Sequence, residues 1–144
     1  MKIGNNKVFF DYEILDKYTA GMVLLGTEAK TLELGHVSLQ GSFVEISKGE
    51  AFLVGSHFKA LDHAVSNHDP IRKRKLLLNK KEIRKLSEEC LIKHLSIVPI
   101  GIEKVSGKFK LIIATAKGKR SYDKRKSEKE SKQVAEIRRI SKSY

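Results

Sequence analysis

The sequence predicts a mainly β protein: a small antiparallel barrel, closed or partly open, with about two flanking helices and a basic tail. Three observations carry that prediction. Short runs of β-branched and aromatic residues recur before residue 117, separated by turn residues and without βαβ spacing. Only two stretches look helical. Residues 117–144 hold eleven Lys or Arg against four Asp or Glu, so they supply +7 of the chain's net +12.

Taken in order, residues 9–15 and 18–25 read as strands joined by the polar pair Asp16-Lys17. Thr27 is placed to N-cap a short helix over 28–34 that stops at Gly35, with Leu32 and Leu34 facing the core. Residues 42–47 and 51–57 flank Lys48-Gly49-Glu50 as a hairpin. Periodicity is then lost until Asn67-His68-Asp69-Pro70, a turn that leads into the basic run Ile71-Arg72-Lys73-Arg74-Lys75. Asn79 with Glu82 is a capping box, and Ile83, Leu86, Cys90 and Leu91 recur at helical spacing, so 80–94 is an amphipathic helix. Two final strands, 95–105 and 108–116, surround the turn Ser106-Gly107. Pro99 demands an edge or a bulge in the first of them. The total is about six strands and two helices.

The domain is read as residues 1–120 and the tail as 121–144. From residue 117 onward there are only six apolar side chains. That is too little apolar area to offset the roughly 1–2 kcal/mol per residue of entropy lost on ordering, so alone in solution the tail is expected to be intrinsically disordered. A polyanion would remove its self-repulsion and let it order.

Excess base points to nucleic acid first and an anionic membrane surface second. The tail lacks the Trp, Phe or Leu face of an interfacial helix, and no apolar run is long enough to span a bilayer. Residues 1–7 have no apolar h-region, and the single Cys90 excludes an internal disulfide, so a cytoplasmic, reducing location is expected. His57, His63, His68, Asp62 and Asp69 lack the paired spacing of a zinc site. No phosphate-cradling Gly loop, nucleophile elbow or metalloprotease motif is present, and Cys90 falls on the apolar face of its helix. No catalysis, cofactor or metal is expected. The better candidates are basic: Arg72, Arg74 and Lys75 with Lys117, Gly118, Lys119, Arg120, Lys124 and Arg125 read as phosphate contacts, and Tyr122 as a base-stacking platform. RNA is favoured over duplex DNA because no recognition helix with a basic face precedes the tail.

The order of several blocks resembles the small protein B family, the SsrA-binding proteins of bacteria. These blocks are Asp11-Tyr12-Glu13-Ile14, Ala20-Gly21, Gly26-Thr27-Glu28-Ala29-Lys30-Thr31-Leu32, Asn67-His68-Asp69-Pro70, Arg72 through Leu78, and Ala116 through Arg125. The resemblance implies an oligonucleotide-binding-type (OB-fold-like) β-barrel acting as a monomer. It would hold the tRNA-like domain of transfer-messenger RNA (tmRNA, or SsrA) and deliver it to stalled ribosomes for trans-translation, that is, ribosome rescue and peptide tagging. Small-subunit rRNA is the second implied partner, and elongation factor Tu with the alanyl-charged RNA would join in one complex.

The same resemblance assigns residues. Asn5 and Lys7 begin an RNA-contacting N-terminal segment, Glu28 and Lys30 lie in a Gly-Thr-Glu-x-Lys motif, and Leu77 lies in Arg-Lys-Leu-Leu-Leu. Lys119, Tyr122, Asp123, Lys124 and Arg125, with Arg120, match a stretch placed at the ribosomal decoding region. Lys132, Arg138 and Arg139 would line a tail helix in the message channel. Phe10 stands where the family often has histidine, Thr19 where it has glutamate, and Glu33 where arginine is usual. Lys30 or Lys2 would have to offset the Glu33 charge.

Overall fold

The chain is described by a computed structural model over residues 2–62 and 66–118. The tail from residue 119, and with it Lys119, Arg120, Tyr122, Asp123, Lys124, Arg125, Lys132, Arg138 and Arg139, lies outside the described residues, as does His63. Nine strands and three helices occur among the described residues: β1 (Lys2–Gly4), α1 (Asn6–Asp11), β2 (Tyr12–Met22), α2 (Gly26–Glu33), β3 (Val37–Ser38), β4 (Phe43–Ser47), β5 (Glu50–Val54), β6 (His57–Phe58), β7 (Arg74–Leu77), α3 (Lys80–Lys93), β8 (Ser96–Val105) and β9 (Lys108–Gly118).

The mainly β, antiparallel class is borne out. Seven strands form one sheet in the order β1-β8-β9-β2-β7-β5-β4, and β3 pairs with β6 apart from it. The sheet curls far enough for β4 to pack beside β8, but no strand pairing joins them, so the barrel is not closed. Its interior holds Ala20, Leu32, Leu53, Phe58, Leu76, Leu86, Ile102, Leu111 and Ile113.

Two turns behave as their sequences require. Lys48-Gly49 joins β4 to β5 and Ser106-Gly107 joins β8 to β9. All four residues have positive φ (51° and 75°, then 51° and 79°), as a two-residue type I′ hairpin loop demands.

Elsewhere the fold departs from the sequence-based expectation. Residues 9–11 close the short helix α1 instead of opening a strand. Asp16-Lys17 is no turn, because β2 runs through it. Ile14 pairs with Ala116 and Lys17 with Ala114, so one extra residue is absorbed as a bulge, and the Asp16 amide donates to Thr115 Oγ1 at 3.1 Å. Pro99 does mark a bulge, with Pro99 opposite Ile113 and Gly101 opposite Ile112, although β8 lies inside the sheet between β1 and β9. Helix α2 starts two residues early, with Leu25 at its cap, and Leu34 is 51% exposed just past its end.

Helix α3 has the expected cap: the Glu82 amide donates to Asn79 Oδ1 at 2.8 Å and the Asn79 amide to Glu82 Oε1 at 3.2 Å. It buries only Leu86 fully, and Leu91, expected in the core, is 76% exposed.

Candidate nucleic-acid interface

Strand alternation divides the basic run after Pro70 into two sets. Arg74 and Leu76 point inward, while Lys73, Lys75 and Leu77 point outward. The inward set meets α2. Glu28 sits in the first turn of that helix, where its carboxylate complements the helix dipole and accepts the Leu25 amide at 2.8 Å. Arg74 Nε donates to Glu28 Oε2 at 2.6 Å, and both side chains are fully buried. Arg72 reaches the same carboxylate from the rim: Nη2 donates to Oε1, and Nε donates to Oε2 at 3.3 Å.

Burial alone would raise the Glu28 pKa. The hydrogen bond from Arg72, the Leu25 amide and the charge of Arg74 outweigh it and hold the carboxyl below its ordinary range. Burial also pulls the Arg74 pKa down against the attraction of Glu28, but a guanidinium stays charged at neutral pH, so the buried pair is ionic.

Arg74 spends its remaining donors on the chain that precedes it. Nη1 donates to the carbonyls of Arg72 (2.6 Å) and Pro70 (3.2 Å), and Nη2 donates to that of Asp69 (3.2 Å). Its guanidinium carbon lies 4.1 Å from the Phe58 ring centroid. The turn at residues 67–70 is held from its other side as well. Asn67 bonds both backbone groups of Leu61, and the Ile71 amide donates to Asp69 Oδ1 at 3.0 Å. His68 is buried between Phe58 and Thr27. Its Nε2 donates to the Phe58 carbonyl at 2.8 Å, and its Nδ1 shares a hydrogen bond with Thr27 Oγ1 at 2.8 Å. Thr27 is thus a partner of this turn and not the cap of α2.

The residues singled out from the sequence divide into a buried and an exposed set. Glu28 and Arg74 expose no side-chain surface; they position the loop and the strand. Asn5 is also buried, with Nδ2 donating to the Pro99 carbonyl at 2.9 Å and the Leu39 carbonyl at 3.4 Å, and it ties the start of α1 to the β8 bulge. Arg72 keeps about a third of its side chain exposed (34%). Lys75 is outward-facing and lies 3.3 Å from Glu50, and Lys73 lies 3.2 Å from Glu45. Such exposed pairs are worth about 0–1 kcal/mol, so phosphate can displace either carboxylate.

Leu77 is 55% exposed and opposite Gly21. Lys7, Lys30, Lys117 and Gly118 are exposed. These residues sit at two places along β2. Leu77 and Lys75 flank its C-terminal end, whereas Gly118 pairs with Tyr12 and Lys117 with Glu13 at its N-terminal end, next to α1 and Lys7. Eleven residues of strand put roughly 30 Å between the two ends.

Glu33 finds a cation not in Lys30 but in Lys104 of β8 at 3.1 Å, and Lys104 also covers the Phe109 ring at 5.4 Å; the Lys2 side chain lies outside the described residues. Sequence reasoning missed Thr27, Ser56, Phe58 and Lys104 as supports. The latch that Arg72 and Arg74 form on Glu28 had no sequence signal, because its acid and its two arginines lie more than forty residues apart. Burial, then the Glu89 charge, raise the Cys90 thiol pKa. Among the described residues, no group of three or more His, Cys, Asp or Glu is placed to hold a metal ion, and no helix is long and apolar enough to cross a membrane.

The fold and its two cationic ends define a small, basic, antiparallel-sheet binding protein. The profile of the SmpB protein family matches residues 2–143. The chain belongs to that family. Curated SsrA-binding proteins are among its relatives. That of Ligilactobacillus salivarius is 43% identical over 141 residues, covering 97% of this chain and 91% of that protein. One from a Sulfurihydrogenibium species is 48% identical over 134 residues, covering 92% and 88%. That of Aquifex aeolicus is 44% identical over 137 residues, covering 94% and 87%. A solved chain described as "tmRNA-SmpB: a journey to the center of the bacterial ribosome" superposes with a TM-score of 0.69 at 38% identity, covering 83% of this chain and 85% of that one.

Proposed function

We propose that this protein is a non-catalytic RNA-binding adaptor that holds the tRNA-like domain of tmRNA and delivers it to stalled ribosomes for trans-translation. The carrying observation is the family match over residues 2–143, with SsrA-binding relatives that align along nearly their whole length. The geometry supplies a physical reason for the division of labour. The outward face of β7 lies at one end of β2, and the chain leaves toward its basic tail at the other, beside Lys7 and Lys117. Lys75, Leu77, Lys30 and the one-third-exposed Arg72 contact the folded RNA, and Glu28 and Arg74 hold the β7 contacts in register.

Residues 121–144 act as a separate unit that gains fixed structure on small-subunit rRNA. There Lys119, Arg120, Tyr122, Asp123, Lys124 and Arg125 meet the decoding region, while Lys132, Arg138 and Arg139 follow the message channel. Elongation factor Tu joins through the alanyl-charged RNA. The site of action is the cytoplasm, and the adaptor works as a monomer. Competition binding at physiological salt tests the proposal. The tRNA-like domain of tmRNA should displace a labelled copy of itself far better than an ordinary tRNA or an unrelated hairpin. Equal competition by all three would make the protein a generic nucleic-acid binder.

A further inference from the structure

The seam where β4 meets β8 without pairing holds a groove of about 710 Å³, within the roughly 300–1,000 Å³ typical of ligand sites. Val8, Tyr12, Phe43, Cys90, Leu91 and Ile97 contribute its apolar lining. Phe43 is 46% exposed, and Leu91 and its neighbour Ile92 are each 76% exposed, so the apolar surface continues over the rim.

The chain itself leaves the described structure at this place, because its last described residue, Gly118, pairs with the groove residue Tyr12. Twenty-six residues follow. Within them Val134, Ile137 and Ile140 are spaced by three, which puts them along one side of a helical turn, with Arg138 and Arg139 beside them. Fifteen residues separate Gly118 from Val134, a tether that reaches up to about 50 Å when extended. The exposed Glu88 stands one helical turn before Leu91 and Ile92, on the rim that the two arginines would face.

We propose that this groove is a docking site for the chain's own tail, with Val134, Ile137 and Ile140 as the inserted side chains. A tether of this length gives an effective concentration on the order of 1 mM, so a contact with a Kd of about 1 mM is populated about half the time. Docking is partial and reversible, and it leaves residues 119–126 free for polyanions. It shields an apolar patch between encounters and is released when the tail is drawn onto a stronger partner. It concerns the RNA-free protein and stands or falls independently of the function proposed above.

The test uses the full-length chain with Cys90→Ala, which keeps the groove apolar, and a nitroxide on Ser143→Cys. Methyl signals of Val8, Leu91 and Ile97 should be selectively broadened, losing at least about half their intensity, while Leu77, at the far end of β2, keeps its own. Adding Ile137→Asp and Ile140→Asp should restore them. Uniform or absent broadening, or broadening that survives the two aspartates, overturns the proposal. A mixture of spin-labelled and isotope-labelled protein covers the remaining case: if the selective loss requires two different molecules, the occupant is a second copy and the proposal is wrong.

Discussion

Arg74 Nε lies 2.6 Å from Glu28 Oε2, and neither side chain meets solvent. Removing one partner of such a pair leaves the other as an uncompensated buried charge. Glu28→Gln should therefore lower the unfolding free energy by about 3–5 kcal/mol, read from urea denaturation. Adding Arg74→Met should recover part of that loss, so the double variant falls short of the sum of the singles. Additive losses would mean that the two residues do not act as a pair.

The depressed Glu28 pKa sets the direction of the pH response. A carboxylate whose pKa is lower folded than unfolded adds stability that is fully present above the unfolded value, about 4.3 for glutamate. That stability is lost as pH falls through the folded value. Urea midpoints of the native protein should hold down to about pH 5 and then drop. Glu28→Gln should start lower and drop less, and parallel profiles would remove Glu28 from the account.

RNA affinity should fall steeply with salt, because each neutralised phosphate releases counterions. Lys7→Ala, Lys30→Ala and Lys117→Ala should each reduce the slope of log K against log salt by about one. Glu28→Gln, measured where it remains folded, should weaken binding and leave the slope unchanged. That split separates a residue that touches phosphate from one that holds the contacting strand.

A Cβ at Gly101 would stand 2.7 Å from the carbonyl oxygen of Ile3. Gly101→Ala must push β1 away from β8, at a cost of about 1–3 kcal/mol. Amide exchange in Ile3 and Gly4 should accelerate selectively, because among the described residues β1 joins the sheet through its pairing with β8. Protection unchanged from the native protein would show that the strand accommodates the methyl without moving.

Ending the chain before Asp123 should leave the affinity for the tRNA-like domain nearly intact and abolish peptide tagging on stalled ribosomes. Loss of RNA binding together with the tail would contradict the separation of the two ends of β2.

Much of this fold was legible because local chemistry decided it. Lys48-Gly49 and Ser106-Gly107 specify their hairpins, Asn79 and Glu82 cap α3, and Pro99 forces a bulge. Asp16-Lys17 misled because a polar pair reads alike in a turn and in a bulge, and only the partner strand distinguishes them. Leu34 and Leu91 misled because periodicity gives a face and not its width. At the interface, composition found the basic run but not its division. Arg72 and Arg74 turn inward because Glu28, more than forty residues earlier, waits there, and no local signal carries that distance.

The latch has a dry half and a wet half. Arg74 is sealed, whereas Arg72 holds the same carboxylate from a position one-third open to water. Of the two guanidiniums, only the outer one is within reach of water, and the inner one is sealed beneath it. An arriving polyanion can borrow Arg72 without unfolding anything beneath it, so the surface adapts while the strand behind it stays rigid.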